Sequence, residues 1–184
     1  MHRGASRSGS GGGGLAPLAD LVVVHSNAGE QRAYGRDRAD SGQQLGGSLR
    51  HAVNGHALGG GFVLMLAGDL RLGADDESIR LGIPEARAGI PFPAGSSEFI
   101  RAELPAPLCR RLALSSAILS PSQLHREGVL DALHPRGDLL AQAVTQCVAL
   151  AAQPAFAAVK QQVRGPLMAR LASPRCGIES SPDG

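Results

Sequence analysis

Aromatic side chains are nearly missing from this 184-residue chain, which has no tryptophan, one tyrosine and four phenylalanines. Any core must therefore be aliphatic, and a hydrophobic share of 43% is enough to build one from leucine, valine, isoleucine and alanine. Lysine is equally scarce: Lys160 stands alone among 18 basic residues, and the arginines are scattered. A net charge of +2 leaves no electrostatic footprint for nucleic acid or an anionic membrane. Apolar runs fall far short of the ~20 residues that span a bilayer. The stretch from Leu15 to Val24 is interrupted by Pro17 and Asp20, a poor match to the continuous apolar segment of a leader peptide. A cytoplasmic protein is the expectation. Cys109, Cys147 and Cys176 are odd in number and far apart, which predicts ordinary thiols rather than a disulfide framework or a zinc knuckle.

Glycine, by contrast, is abundant, with 25 residues. Residues 1–14 are Gly/Ser/Arg-rich and are expected to be a disordered tail. Residues 172–184 read as a second flexible tail. The β-branched run Leu21-Val22-Val23-Val24 is of strand type, and residues 29–48, polar and glycine-rich, read as loop or disorder. Ala52-Val53-Asn54-Gly55 is a short strand ending in a turn. Gly59-Gly60-Gly61 leads into an apolar helical run, Phe62 to Ala67. Asp69 to Gly73 alternates with period two, and Ile79 to Ile83 is a further short strand. From about residue 94 the pattern is helical. Pro107 can open a helix through Leu108, Leu112 and Leu114, and Ser120-Pro121 caps another that runs to Glu127. Val129 to Leu133 is a strand candidate, followed by amphipathic helices over Leu139 to Ala151 and Pro154 to Leu171. The order is β, loop, β-α-β-β, then helices: an α/β chain.

Three segments carry chemistry. They are Ala52-Val53-Asn54-Gly55-His56-Ala57-Leu58-Gly59-Gly60-Gly61, then Ala67-Gly68-Asp69-Leu70-Arg71, then Leu81-Gly82-Ile83-Pro84-Glu85-Ala86-Arg87-Ala88-Gly89-Ile90-Pro91. Their order and spacing resemble the crotonase family, the enoyl-CoA hydratases and isomerases. That family's signature runs A-V-N-G-x-A-x-G-G-G, C/G-D-x-R and G-x-P-E-x-x-x-G-x-x-P. Leu119-Ser120-Pro121 to Gly128-Val129-Leu130-Asp131 and Ala157-Ala158-Val159-Lys160 extend the likeness, so that it covers about residues 51–170.

The resemblance implies a crotonase-like α/β fold: a partial spiral of β-β-α units over residues 15–135, divergent or incomplete over 15–50. A C-terminal helical oligomerisation region over 136–171 follows. It also implies an acyl-CoA thioester substrate, with coenzyme A as part of the substrate and no separate cofactor or metal. Family members assemble as homotrimers, often paired into hexamers. Glu85 is implied as the catalytic acid/base that moves a proton at the α or γ carbon. Gly60 is implied as one donor of the oxyanion hole, with Gly59 and Gly61 as supports. The physics agrees, since an enolate-like intermediate needs preorganised N–H donors at the thioester oxygen and glycine lets backbone approach a ligand closely.

Two departures refine the expectation. Family hydratases carry a second glutamate two positions after the glycine triplet, where this chain has Val63. A lone glutamate is the arrangement of the enoyl-CoA isomerases, so proton shuttling is expected over hydration. The family's second oxyanion donor sits near A-F-x-A-G-A-D-L. The nearest stretch here is Gln31 to Arg38, of which only Arg32-Ala33-Tyr34 is similar. In addition, Arg50-His51 stands where the family has buried apolar strand residues, and an unpaired buried charge is costly.

The rivals are weaker. The triplet lacks the G-x-G-x-x-G spacing of a dinucleotide site, no lysine follows it as in a P-loop, and no G-x-S-x-G elbow is present. His51 and His56 lack a third ligand and read as ordinary polar positions. The alternative in a different class is a catalytically inactive crotonase-like fragment that retains only the oligomerisation surface.

Overall fold

The computed structural model describes residues 21–25, 31–34 and 49–172, with side chains over 49–172. The tail expected at 1–14 and, from residue 173 on, the tail expected at 172–184, Cys176 included, lie outside the described residues.

Over residues 49–82 successive strands alternate between a large sheet and a small one. β1 (Leu21–His25) and β3 (Leu49–Val53) pair in parallel at the centre of the large sheet. β2 (Gln31–Tyr34) closes one edge antiparallel to β1. That strand corrects the expectation of loop throughout 29–48: an edge strand with one pairing partner needs no continuous apolar run. β4 (Ala57–Leu58) leaves for the small sheet, and helix α1 (Gly60–Leu66) returns the chain to β5 (Leu70–Ala74), parallel to β3. β6 (Leu81–Gly82) then pairs in parallel with β4. Three helices follow: α2 (Glu85–Ala88), α3 (Ala94–Glu103) and α4 (Ala106–Ser115). β7 (Ile118–Leu119) completes the small sheet antiparallel to β6. α5 (Pro121–Arg126) leads to β8 (Ala132–His134), which closes the large sheet beside β5. The strand orders are β2-β1-β3-β5-β8 and β4-β6-β7. α6 (Leu139–Ala151) and α7 (Phe156–Leu171) end the fold. None of these helices alone is long and apolar enough to cross a membrane; α6 and α7 together would be, but meet at a 100° bend.

The core between the sheets and helices is aliphatic, as the composition requires. Leu72, Ile79, Leu81, Ile83, Leu108, Leu112 and Leu124 are buried, and Phe62 is the one aromatic among the fully buried core residues described. Ser120 caps α5 as expected. Its hydroxyl accepts from the Gln123 N–H, and the Gln123 side chain accepts from the Ser120 N–H in return, so two helix-end donors are satisfied.

β3 inverts the usual strand pattern, with Arg50 and His51 both fully buried. His51 lies beneath Gly68, where an added Cβ would come within 2.8 Å of its ring. Arg50 packs beneath α6. Its Nη2 donates to the Gln146 carbonyl at 2.6 Å, and its guanidinium is hydrogen-bonded to the Cys147 side chain. The cost expected of a charge here is therefore partly offset, although Nε and Nη1 have no hydrogen-bond partner. Burial pushes the guanidinium pKa down; Cys147, and Asp69 and Asp131 through their charge, oppose that shift.

Candidate active site

The site forms where two neighbouring strands end. β4 and β6 run in the same direction, so the residues just beyond each lie side by side, as at the carboxyl ends of parallel strands generally. The Ala57 N–H donates to the Arg80 carbonyl at 3.1 Å and the Gly59 N–H to the Gly82 carbonyl at 2.9 Å. These bonds set the glycine triplet, which follows β4, against Pro84-Glu85, which follow β6.

Gly59 has φ +58° and ψ −126°, a conformation that glycine adopts and residues with a Cβ avoid. A Cβ built on it would lie 3.0 Å from Glu85 Oε1. The glycine turn and the carboxylate therefore share one wall. Gly60 and Gly61 open α1, and a Cβ on either would meet nothing within 4 Å. No side chain caps this end of α1. The Gly59 carbonyl accepts from the N–H groups of Phe62 (2.9 Å) and Val63 (3.1 Å).

Glu85 begins α2, and its own backbone is tightly held. The Glu85 carbonyl accepts from the Ile90 N–H at 3.0 Å, and Gly89 ends the helix in the left-handed conformation at φ +71°. Behind it, Ser116 accepts the Arg87 N–H on its hydroxyl at 3.0 Å, and its carbonyl accepts from Arg87 Nη2 at 3.2 Å. Ser116 is buried and is itself left-handed at φ +51°. Sequence reasoning missed this brace, because nothing in Ser115-Ser116 distinguishes the capping hydroxyl from a solvated one. β6 is braced as well: a Cβ on Gly82 would come within 2.7 Å of the Ala117 carbonyl, so only glycine admits β7 this closely.

The carboxylate is asymmetric. Oε1 faces Gly59, and Oε2 is buried with no hydrogen-bond partner. Such a carboxylate oxygen is an exception among buried polar groups in native folds. Val63, where the hydratases have their second glutamate, packs half-buried against the core. The expected second oxyanion donor falls on residues 35–38, outside the described residues. His56 accepts the Arg80 N–H on Nδ1 at 2.9 Å. Among the described residues no three His, Cys, Asp or Glu side chains are grouped to hold a metal.

Residues 49–176 match the family model for enoyl-CoA hydratase/isomerase. The chain is 35% identical over 99 residues to a mevalonyl-coenzyme A hydratase of Aspergillus fumigatus, covering 54% of this chain and 36% of that protein. It is 32% identical over 115 residues to the carnitinyl-CoA dehydratase of Escherichia coli, covering 61% and 43%. It thus spans less than half the length of these curated relatives. An enoyl-CoA hydratase structure from Mycobacterium marinum superimposes with a TM-score of 0.62 at 20% identity, over 67% of this chain and 55% of that one, a likeness of fold. The matched model takes in both strand ends, the glycine turn and the glutamate beside it, and by that match the chain belongs to the enoyl-CoA hydratase/isomerase family.

Proposed function

We propose that the chain acts on acyl-CoA thioesters as a single-glutamate isomerase, converting a 3-enoyl-CoA to the conjugated 2-enoyl-CoA. The Glu85 carboxylate takes a proton from the α carbon. The resulting dienolate carries its negative charge on the thioester oxygen, where the Gly60 N–H stabilises it. Protonated Glu85 then returns the proton to the γ carbon, so the double bond moves and Glu85 is regenerated. One group serves both transfers, and no cofactor beyond the coenzyme A of the substrate is involved.

The observation that carries this proposal is the approach of Glu85 Oε1 to Gly59, with Oε2 buried and unclaimed. Val63 favours isomerisation over hydration, because no second carboxylate stands at that position to hold a water. Self-association through residues 136–171 belongs to the same proposal. Leu140, Val144 and Val148 recur at four-residue spacing on α6 and are 39%, 45% and 60% exposed, and Val159 and Val163 do so on α7.

The test is conversion of a 3-enoyl-CoA, followed by the absorbance of the conjugated product. Wild type should turn over, and Glu85→Gln should lose about 10²–10⁴ of the rate, the span of a general acid–base contribution. Absence of both turnover and saturable acetoacetyl-CoA binding in wild type would leave the inactive-fragment alternative. Hydration of a 2-enoyl-CoA at a comparable rate would overturn the isomerase preference alone.

A further inference from the structure

Helix α1 has seven residues, so it is about 10 Å long. It has no side-chain cap at its first turn and no basic residue in its last turn. A helix end carrying unsatisfied carbonyls favours cations, and here they come from the next strand and from the last helix. Arg71 of β5 donates from Nη2 to the Leu66 carbonyl at 2.8 Å. Arg164 of α7 forks across the next two carbonyls, Nη1 to Ala67 at 3.0 Å and Nη2 to Gly68 at 2.8 Å. Three successive carbonyls at the end of α1 are thus held by two guanidinium groups.

Both arginines are anchored in turn by a nearly buried ionic cluster. Glu103 of α3 pairs with Arg71 and, at 3.5 Å, with Arg164 Nη1. Asp69 pairs with Arg164 Nε at 3.4 Å and with Lys160 at 2.7 Å, and its Oδ2 accepts the Leu49 N–H at 2.8 Å. Side-chain exposures run from 8% for Asp69 to 16% for Glu103, so solvent screens these pairs little. Lys160 pairs with Asp69, whereas the bonds to the three carbonyls described above come from Arg71 and Arg164.

We propose that Arg164, together with Arg71, is a positioning residue: it fixes the C-terminal end of α1 and thereby the direction of the Gly60 N–H at the other end. The catalytic consequence rests on the function proposed above; the mechanical one does not. A short rigid element pinned at one end transmits a tilt there to its opposite end, and oxyanion stabilisation is sensitive to such misplacement.

The experiment compares Arg164→Gln, Arg164→Lys and Lys160→Gln. Lys160→Gln disturbs the same cluster and leaves in place both arginines that hold the three carbonyls. Arg164→Lys keeps the charge facing Asp69 and Glu103 and loses only the fork, so it tests the proposal even where Arg164→Gln does not fold. In the isomerase assay, Arg164→Gln should lower kcat about 10- to 100-fold, less than the 10²–10³ lost when an oxyanion donor is removed outright. KM should stay within about threefold, Arg164→Lys should recover part of kcat, and Lys160→Gln should stay near wild type. Equal loss in Arg164 and Lys160 variants, or a change confined to KM, would overturn the proposal. Amide hydrogen exchange over residues 59–66 gives a second readout independent of turnover. Faster exchange in the Arg164 variants than in Lys160→Gln supports the clamp, and equal exchange refutes it. If wild type turns over no thioester, the proposed function fails, and the exchange comparison still decides the clamp.

Discussion

Of the three consecutive glycines, only Gly59 has a side chain pressed against it. Its φ of +58° strains any residue with a Cβ, and a built Cβ 3.0 Å from Glu85 Oε1 would make the carboxylate give way by a few tenths of an ångström. Gly59→Ala should therefore cost about 1–3 kcal/mol in unfolding free energy, the scale of a forced backbone conformation. It should also displace Glu85 and lower isomerase turnover. Gly61→Ala meets nothing within 4 Å and lies inside a helix, so it should gain about 0.5–1 kcal/mol. Urea unfolding of the two variants separates these outcomes. The glycine triplet and Glu85 stood out in the sequence only through the order of three linked motifs, because a lone triplet reads as a tight strand-to-helix turn and a lone glutamate as a solvated loop carboxylate. The division of labour within the triplet was not legible, since it depends on which glycine a carboxylate 26 positions away comes to face. Ser116, which braces α2 from behind, was equally hidden: its role exists only once Arg87 is opposite it.

Long helices were readable, and two of the three shortest strands were not. α6 buries Leu139, Ala143 and Cys147 at four-residue spacing, whereas α7, expected to be amphipathic, buries only Leu167; both were expected within two residues of their observed bounds. β4 and β7 have two residues each, fewer than any alternation can display, while β6 falls inside the strand expected over Ile79 to Ile83. β3 is the instructive case, because Arg50 and His51 gave it a surface-like pattern although it is flanked by β1 and β5. Arg50 carries two unpartnered N–H-bearing nitrogens in a fully buried setting. Such groups cost about 1–3 kcal/mol when unsatisfied, and apolar residues of similar size often replace buried charges at no loss. Arg50→Met should accordingly raise the unfolding free energy by about 1–3 kcal/mol, read from the denaturant midpoint. A fall instead would mean that the bond to the Gln146 carbonyl is what docks α6 on the sheet.

At the scale of the molecule, the spiral of β-β-α units and the helical C-terminus were anticipated by resemblance of three linked motifs. The division of the strands into a large and a small sheet was not, because it rests on pairings between residues far apart in the chain. The exposed valines of α6 and α7 carry the prediction that belongs here. Sedimentation velocity should find a trimer or hexamer, and Val148→Glu should shift it to monomer, since a carboxylate buried without a partner in an apolar interface costs several kcal/mol. A wild-type monomer would remove self-association from the proposal. The two-residue ladder between β4 and β6 has a consequence for how this chain tolerates change. The offset from its last rung to Glu85 is three residues and to Gly59 one, so the carboxylate and the glycine it faces are measured from a common origin. Lengthening the hairpin-like excursion at 75–78 leaves that ruler unaltered. Inserting one residue between Gly82 and Glu85 advances the scale by a notch, and Pro84 or its newcomer would then face the glycine instead.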